Sequence, residues 1–180
     1  MASSLILGMG LPTAAAYILV ATLTAPALVT MGVDLMAAHM FVFYSAMLSS
    51  ITPPVALAAF AAAAISREPP MRVAMISVKY GFVAFLLPYF FVLEPRLLLM
   101  GTLGEAIGVF LMAAIGIVTL ACVLQGYAMG SLSWLTRSVL AVASLCLLMP
   151  EISLKIIGIA IILATLVAWK IGQIMKSDGT

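Results

Sequence analysis

Two stretches interrupt otherwise apolar sequence: Gly8-Met9-Gly10-Leu11-Pro12-Thr13 and Ser49-Ser50-Ile51-Thr52-Pro53-Pro54. Each falls where a membrane helix would be expected to run on. Inside a bilayer, a backbone that leaves the helix must have its N–H and C=O groups met by protein, water or a bound ion. Two such breaks, about forty residues apart and separated by one crossing, therefore predict a binding site at membrane depth. The membrane itself follows from composition. Of 180 residues, 66% are hydrophobic and 8% charged, where soluble domains hold about 45–50% apolar and about 25% charged residues. The expected fold is an all-α integral membrane protein.

A spanning helix needs about 20 mainly apolar residues. Ala14 to Thr30 is slightly short and starts at the first break. Leu35 to Ile65 is too long for one span and reads as two half-helices, Leu35–Leu48 and Val55–Ile65, around an unwound turn. Pro53 and Pro54 remove two N–H donors there and push the preceding residue out of helical geometry. Four further spans are predicted near Val73–Leu93, Ala106–Leu124, Leu132–Met149 and Ile152–Ile171. Arg67-Glu68-Pro69-Pro70, Glu94-Pro95-Arg96 and Pro150-Glu151 punctuate them. The organisation expected is a segment 1–101 holding both breaks and a C-terminal membrane extension 102–180.

Cations set the orientation. Arg67, Arg72, Lys79, Arg137, Lys170 and Lys176 fall toward one side, and Arg96 and Lys155 toward the other. The first side, with the C-terminus, is expected to be cytoplasmic, and Trp134 and Trp169 suit its interface. A net charge of +2 gives no basis for a nucleic-acid partner, and membrane lipid is the surrounding phase. Cys122 and Cys146 lack the spacing of a disulfide or metal framework and read as small buried residues. There is no His/Cys/carboxylate cluster, phosphate loop or Ser/His/Asp set, so no enzyme and no cofactor is expected.

The breaks carry the chemistry. Gly8 and Gly10 permit backbone conformations closed to other residues, Pro12 suits the first turn of a helix, and Thr13 adds a hydroxyl. The stretch reads as the tip of a re-entrant hairpin whose returning arm is Ala14 onward. Its N–H groups would favour an anion and its preceding carbonyls a cation. The same residues also fit a helix starting just outside the membrane. At the second break, Ser49, Ser50 and Thr52 supply hydroxyls and freed carbonyls, the oxygen ligands that a hard cation such as sodium prefers; a plain proline kink is the alternative. Ala56, Ala58, Ala59 and Ala61 to Ala64 would let α-helices approach closely. Asp34 is expected to be solvated, His39 to make a polar contact, Lys79 to lie near the start of its span and snorkel, and Arg137 or Lys155 to pair with an acid or lipid phosphate.

At these motifs the chain resembles a known family. Gly8 to Thr13, then Ala15-Ala16-Tyr17, Ala25-Pro26-Ala27-Leu28, Gly32-Val33 and Ser50-Ile51-Thr52-Pro53-Pro54-Val55-Ala56-Leu57-Ala58 resemble the fused permease subunit of TRAP transporters, closest to those served by TAXI-type solute-binding proteins. The resemblance covers roughly Ser3 to Gly101. It implies sodium-driven uptake of small organic acids, delivered by a periplasmic binding protein to an elevator-type permease in a bacterial or archaeal cytoplasmic membrane. Gly8 to Thr13 would be the tip of the second hairpin and Ser50 to Pro54 the break of the second discontinuous helix. Gly8, Thr13, Ser49, Ser50, Thr52 and Pro53 would then hold sodium, and Gly8, Gly10, Pro12, Thr13, Thr52 and Pro54 would shape the substrate pocket.

Such a permease carries two inverted repeats, and this sequence holds only the second, so the expected partner is the remainder of the permease with its first repeat. The alternative is a non-transporting membrane partner that docks on a separately encoded permease half.

Overall fold

The structure is a computed structural model that describes residues 1–128, 130 and 132–177, with side chains through Trp169. The Lys170 and Lys176 side chains, Ser131 and the end of the tail at 178–180 lie outside the described residues. The described residues form helices and no strands, and the chain divides into two compact units, Met1–Met100 and Gly101–Thr180. Four segments among the described residues are long and apolar enough to cross a membrane: Thr13–Thr30, Pro70–Leu93, Leu103–Gln125 and Ile152–Trp169. The chain is an all-α, multi-pass membrane protein.

In the first unit, α1 (Ala2–Gly8) and α2 (Thr13–Thr30) form a helical hairpin whose tip is residues 9–12. Both arms pack on α3 (Leu35–Ser49). Asp34 starts α3 because its carboxylate accepts from the N–H groups of Met36 and Ala37 at 2.7 and 3.4 Å, satisfying donors that a helix start leaves orphaned. Val20 and Ala25 of α2 bury against Val42 of α3. The α1–α3 contact has a different character. Ser4 and Gly8, one turn apart, are buried on α1, as are Ser45 and Ser49 on α3. Small residues at this spacing on both partners allow close backbone approach.

The helix restarts as α4 (Leu57–Ser66), packed on α5 (Pro70–Gly81) through Ala56, Ala59 and Ala74. The alanine run is split, since Ala58, Ala61, Ala62 and Ala64 face outward. The break is thus wider than the sequence suggested: Val55 is not helical, and α4 begins at Leu57. With Pro53 and Pro54 lacking N–H groups, the first hydrogen bond back across the break is Ala58 N–H to the Ser50 carbonyl at 3.0 Å.

The span expected at Val73–Leu93 starts earlier, at Pro70, and is not one α-helix. It tightens into a 3-10 turn at Phe82–Phe85 before α6 (Leu87–Leu93). Pro88 explains the change, since it has no N–H for the Ala84 carbonyl and its ring would collide with it. Lys79 consequently lies in the last turn of α5, not near the start of a span; a cation is favourable beside the carbonyl end of a helix. α6 packs on α3 with edge-to-face aromatic pairs, Phe41–Tyr89 and Tyr44–Phe91, at ring separations of 5.3 and 5.1 Å.

The second unit is α7 (Leu103–Gln125), α8 (Trp134–Leu148) and α9 (Ile152–Ser177), with α8 packed against both others. At 15 residues, α8 is about 22 Å long and falls short of a full span. Gly116 lies against Leu148, and Gly158 lies against the Ala143 carbonyl and Leu147, so a Cβ at 158 would meet that carbonyl at 2.8 Å. Arg137 pairs with no acid among the described residues: its Nε donates to the Val123 carbonyl at 3.0 Å and Nη2 to Leu124 at 3.5 Å. It closes the C-terminal end of α7, where four carbonyls lack helical donors. Lys155 is buried in this unit. Cys122 and Cys146 are free thiols and half-buried, more open than expected.

Candidate functional site

The hairpin tip and the helix break meet. The contact is Gly8 against Ser49: the Ser49 hydroxyl lies 3.0 Å from the Gly8 carbonyl and 2.6 Å from the Ala46 carbonyl, so its one proton is shared between them. Ser49 is 1% exposed. Gly8 has to be glycine-sized here, because a Cβ on it would sit 2.9 Å from the Ser49 hydroxyl oxygen and 3.2 Å from the Ser49 Cβ. One residue on, Gly10 has φ +76°, and its α-carbon faces Val55 on the far side of the break, where a Cβ would reach the Val55 side chain at 3.3 Å. Gly8 and Gly10 thus bracket the break from Ser49 to Val55.

Of the other tip residues, Pro12 is the exposed residue just before α2, one position earlier than the first-turn place expected for it. Thr13 is half-buried and opens the helix, and its hydroxyl makes no hydrogen bond with the described residues. The N–H groups of Thr13, Ala14 and Ala15 precede the first helical bond, which Ala16 N–H makes to Pro12. They form the positive end of α2.

Within the break, the Ser50 hydroxyl donates to the Met47 carbonyl at 2.7 Å and the Thr52 hydroxyl to Leu48 at 2.7 Å. These bonds satisfy the fraying end of α3, as the simple kink would. They also fix which way the oxygens can act: a hydroxyl whose proton is committed to a carbonyl has only lone pairs left to offer. The carbonyls of Ile51, Thr52 and Pro53 accept no hydrogen bond from the described residues, and all three residues are half-buried. The peptide bond between Pro53 and Pro54 is cis, and Pro54 is exposed. The donor set at the break is therefore hydroxyl and carbonyl oxygen throughout, with no nitrogen or sulfur, which fits a hard cation.

Two residues close to this geometry escaped the sequence reading. Ser45 Oγ donates to the Phe41 carbonyl at 2.7 Å and touches Met1 Sδ at 3.0 Å. Ser4 is wholly buried, and its hydroxyl has no partner among the described residues. Their signal was the four-residue spacing, Ser4 to Gly8 and Ser45 to Ser49, repeated on two segments that must lie side by side. Further along the hairpin, the Tyr17 hydroxyl and His39 Nδ1 are 2.9 Å apart. They tie α2 to α3 and give His39 the polar contact expected of it.

The family described as "Tripartite ATP-independent periplasmic transporter, DctM component" matches residues 1–106. No curated protein and no solved structure matches the chain. The matched stretch contains the hairpin, its tip, the broken helix and the whole Met1–Met100 unit. This chain belongs to the DctM component family of tripartite ATP-independent periplasmic transporters.

Proposed function

We propose that the chain is part of the membrane permease of a sodium-coupled transporter that imports small organic acids, delivered by a periplasmic binding protein of the TAXI type. The membrane is the cytoplasmic membrane of a bacterium or archaeon, with the C-terminus inside. The observation that carries this reading is the meeting of tip and break: Gly8 against Ser49, beside three unpaired carbonyls at Ile51, Thr52 and Pro53. Sodium sits among the oxygens of Ser49, Ser50, Thr52, Pro53 and the tip carbonyl of Gly8, with Thr13 closing the set. The substrate carboxylate lies beside it, against the N–H groups that open α2, in a pocket shaped by Gly10, Pro12 and Pro54. A cation and an anion placed side by side lower each other's cost of leaving water, which couples the two binding events.

The test uses the complete permease. Sodium raises its melting temperature, since a ligand bound only by the native state stabilises it, while potassium at equal ionic strength does not. Thr52→Ala abolishes both this shift and sodium-dependent uptake, with expression intact. Uptake at the unmodified level with unchanged sodium dependence refutes the assignment.

A further inference from the structure

The second unit contains a cavity of about 170 Å³ between α7, α8 and α9, open on one side. Its walls include Val118, Thr119 and Cys122 of α7, Leu140 of α8, and Thr165 and Trp169 of α9. Its three threonines do not make it polar: the Thr136 hydroxyl is paired with that of Ser133 at 2.9 Å at the start of α8. Thr119 donates to the Ile115 carbonyl at 2.8 Å, and Thr165 lies 3.0 and 2.8 Å from those of Ile161 and Ile162. With its hydroxyls turned onto their own helices, the cavity offers a water molecule too few of the two to four polar partners it needs. A charged or polar solute would lose its hydration without replacement.

The rim differs from the walls. The Trp169 indole N–H has no hydrogen-bond partner among the described residues, and the ring is 37% exposed. Tryptophan with one end apolar and the other wet belongs at the level of lipid headgroups. Next in sequence to the lining residue Thr136, the Arg137 guanidinium lies against Gly126 at the end of α7 and 5.5 Å from the centre of the Trp134 ring; its hydrogen-bond partners there are neutral carbonyls, which leave its positive charge uncompensated.

We propose that this cavity is a lipid site that takes a segment of one acyl chain of an anionic phospholipid, with a headgroup oxygen accepting from Trp169. The volume argues for a few methylenes of a chain and against a second copy of the protein. It is close to the roughly 150 Å³ at which a dry protein cavity admits a benzene-sized apolar ligand, and far too narrow for a helix of about 10 Å diameter.

Native mass spectrometry of the full chain, extracted from vesicles of palmitoyl-oleoyl phosphatidylglycerol, tests this. The expected result is one retained phospholipid per chain. Val118→Phe and Leu140→Phe, which fill the cavity from two different helices, lower retention at least tenfold, because displacing two methylenes costs about fourfold each. Leu111→Phe, on an exposed position of α7, leaves it unchanged. Absence of lipid on the unmodified chain, equal retention in both filled variants, or a second protein copy in place of lipid overturns the proposal. A readout independent of the filled variants uses Trp134→Phe, which leaves Trp169 as the one tryptophan. Phosphatidylglycerol brominated along its acyl chain quenches Trp169, and quenching persists when detergent strips the surrounding lipid. Full recovery of fluorescence on stripping overturns it equally.

Discussion

If tip and break are joined through Gly8 and Ser49, the two positions must be energetically coupled, and the sign of the coupling is fixed by their geometry. Ser49→Ala removes the shared proton from the Gly8 carbonyl. A buried side-chain hydrogen bond of this kind is worth about 1 kcal/mol, and the second partner, Ala46, lies three residues back on the same helix and contributes little. Gly8→Ala places a methyl 2.9 Å from the Ser49 oxygen, 3.2 Å from its Cβ and 3.5 Å from the Ala16 Cβ. Overpacking costs about 1–3 kcal/mol, offset in part by the roughly 0.5–1 kcal/mol that alanine gains over glycine in a helix. The displaced hydroxyl also loses its bond to Gly8. In the double variant the oxygen is gone, the closest contact relaxes to 3.2 Å, and the hydrogen bond is lost once instead of twice. The double variant should therefore be about 1 kcal/mol more stable than the sum of the singles. Thermal unfolding of the purified chain reads this, at about 2–4 °C per kcal/mol for a chain of this length. Gly104→Ala is the control, because a Cβ there meets nothing within 4 Å. Additivity of the two changes within about 0.3–0.5 kcal/mol, the scatter of independent sites, would refute the contact.

Three further outcomes are expected. Arg137→Ala strips the donors from the Val123 and Leu124 carbonyls and should cost about 1–3 kcal/mol; hydrogen exchange should rise at the C-terminal turn of α7 and not at its start. Tyr17→Phe and His39→Phe each break the same 2.9 Å hydrogen bond, so the double variant should be no less stable than the weaker single, read from melting temperatures. Asp34→Ala removes the cap of α3 and should cost about 1 kcal/mol, with Asp34→Asn or Asp34→Ser retaining most of it; equal loss in all three would exclude a capping role.

What could be read from the sequence depended on how local its cause was. The break after Ser49 was visible because Pro53 and Pro54 act on their own backbone, and the start of α2 was visible because Pro12 does the same. The interruption at Phe82–Phe85 has an equally local cause in Pro88, but the predominantly apolar run from Val73 to Leu93 masked it; hydropathy reports burial in lipid and is blind to helix type. Ser4 and Ser45 were missed for another reason. Their spacing becomes informative only once α1 is known to lie along α3, which is a tertiary fact. The approach of the tip to the break likewise rested on family resemblance, since nothing in Gly8 or Ser49 alone says that they touch. Lys79 was misplaced because its helix ends at Gly81, a boundary that composition does not mark.

The energetics of the break make a plain kink an incomplete account of it. The Ser50 and Thr52 hydroxyls already satisfy the carbonyls of Met47 and Leu48, so the end of α3 needs nothing more. Yet Ile51, Thr52 and Pro53 leave three adjacent carbonyls, on half-buried residues, without donors among the described residues. An unmet polar group of this kind costs about 1–3 kcal/mol when buried, and more in surroundings without water. A sequence selected only for a bend could recover that by keeping the helix through Val55, Ala56 and Leu57, whose N–H groups are the helical donors for these three carbonyls, but the two prolines at 53 and 54 break the helix before it reaches them. Thr52 sharpens the point, because its hydroxyl is spent on α3 while its own carbonyl stays open. The open carbonyls and the lone pairs of the committed hydroxyls together present oxygen and no donor hydrogen. Water can meet such a surface only by giving up part of its own hydrogen bonding, whereas a cation meets it fully. Under the proposed sodium site, the cost of leaving the carbonyls bare would become the driving force for binding the ion, and the contact of Gly8 with Ser49 at the start of the break would make that binding sensitive to whether the hairpin is in place.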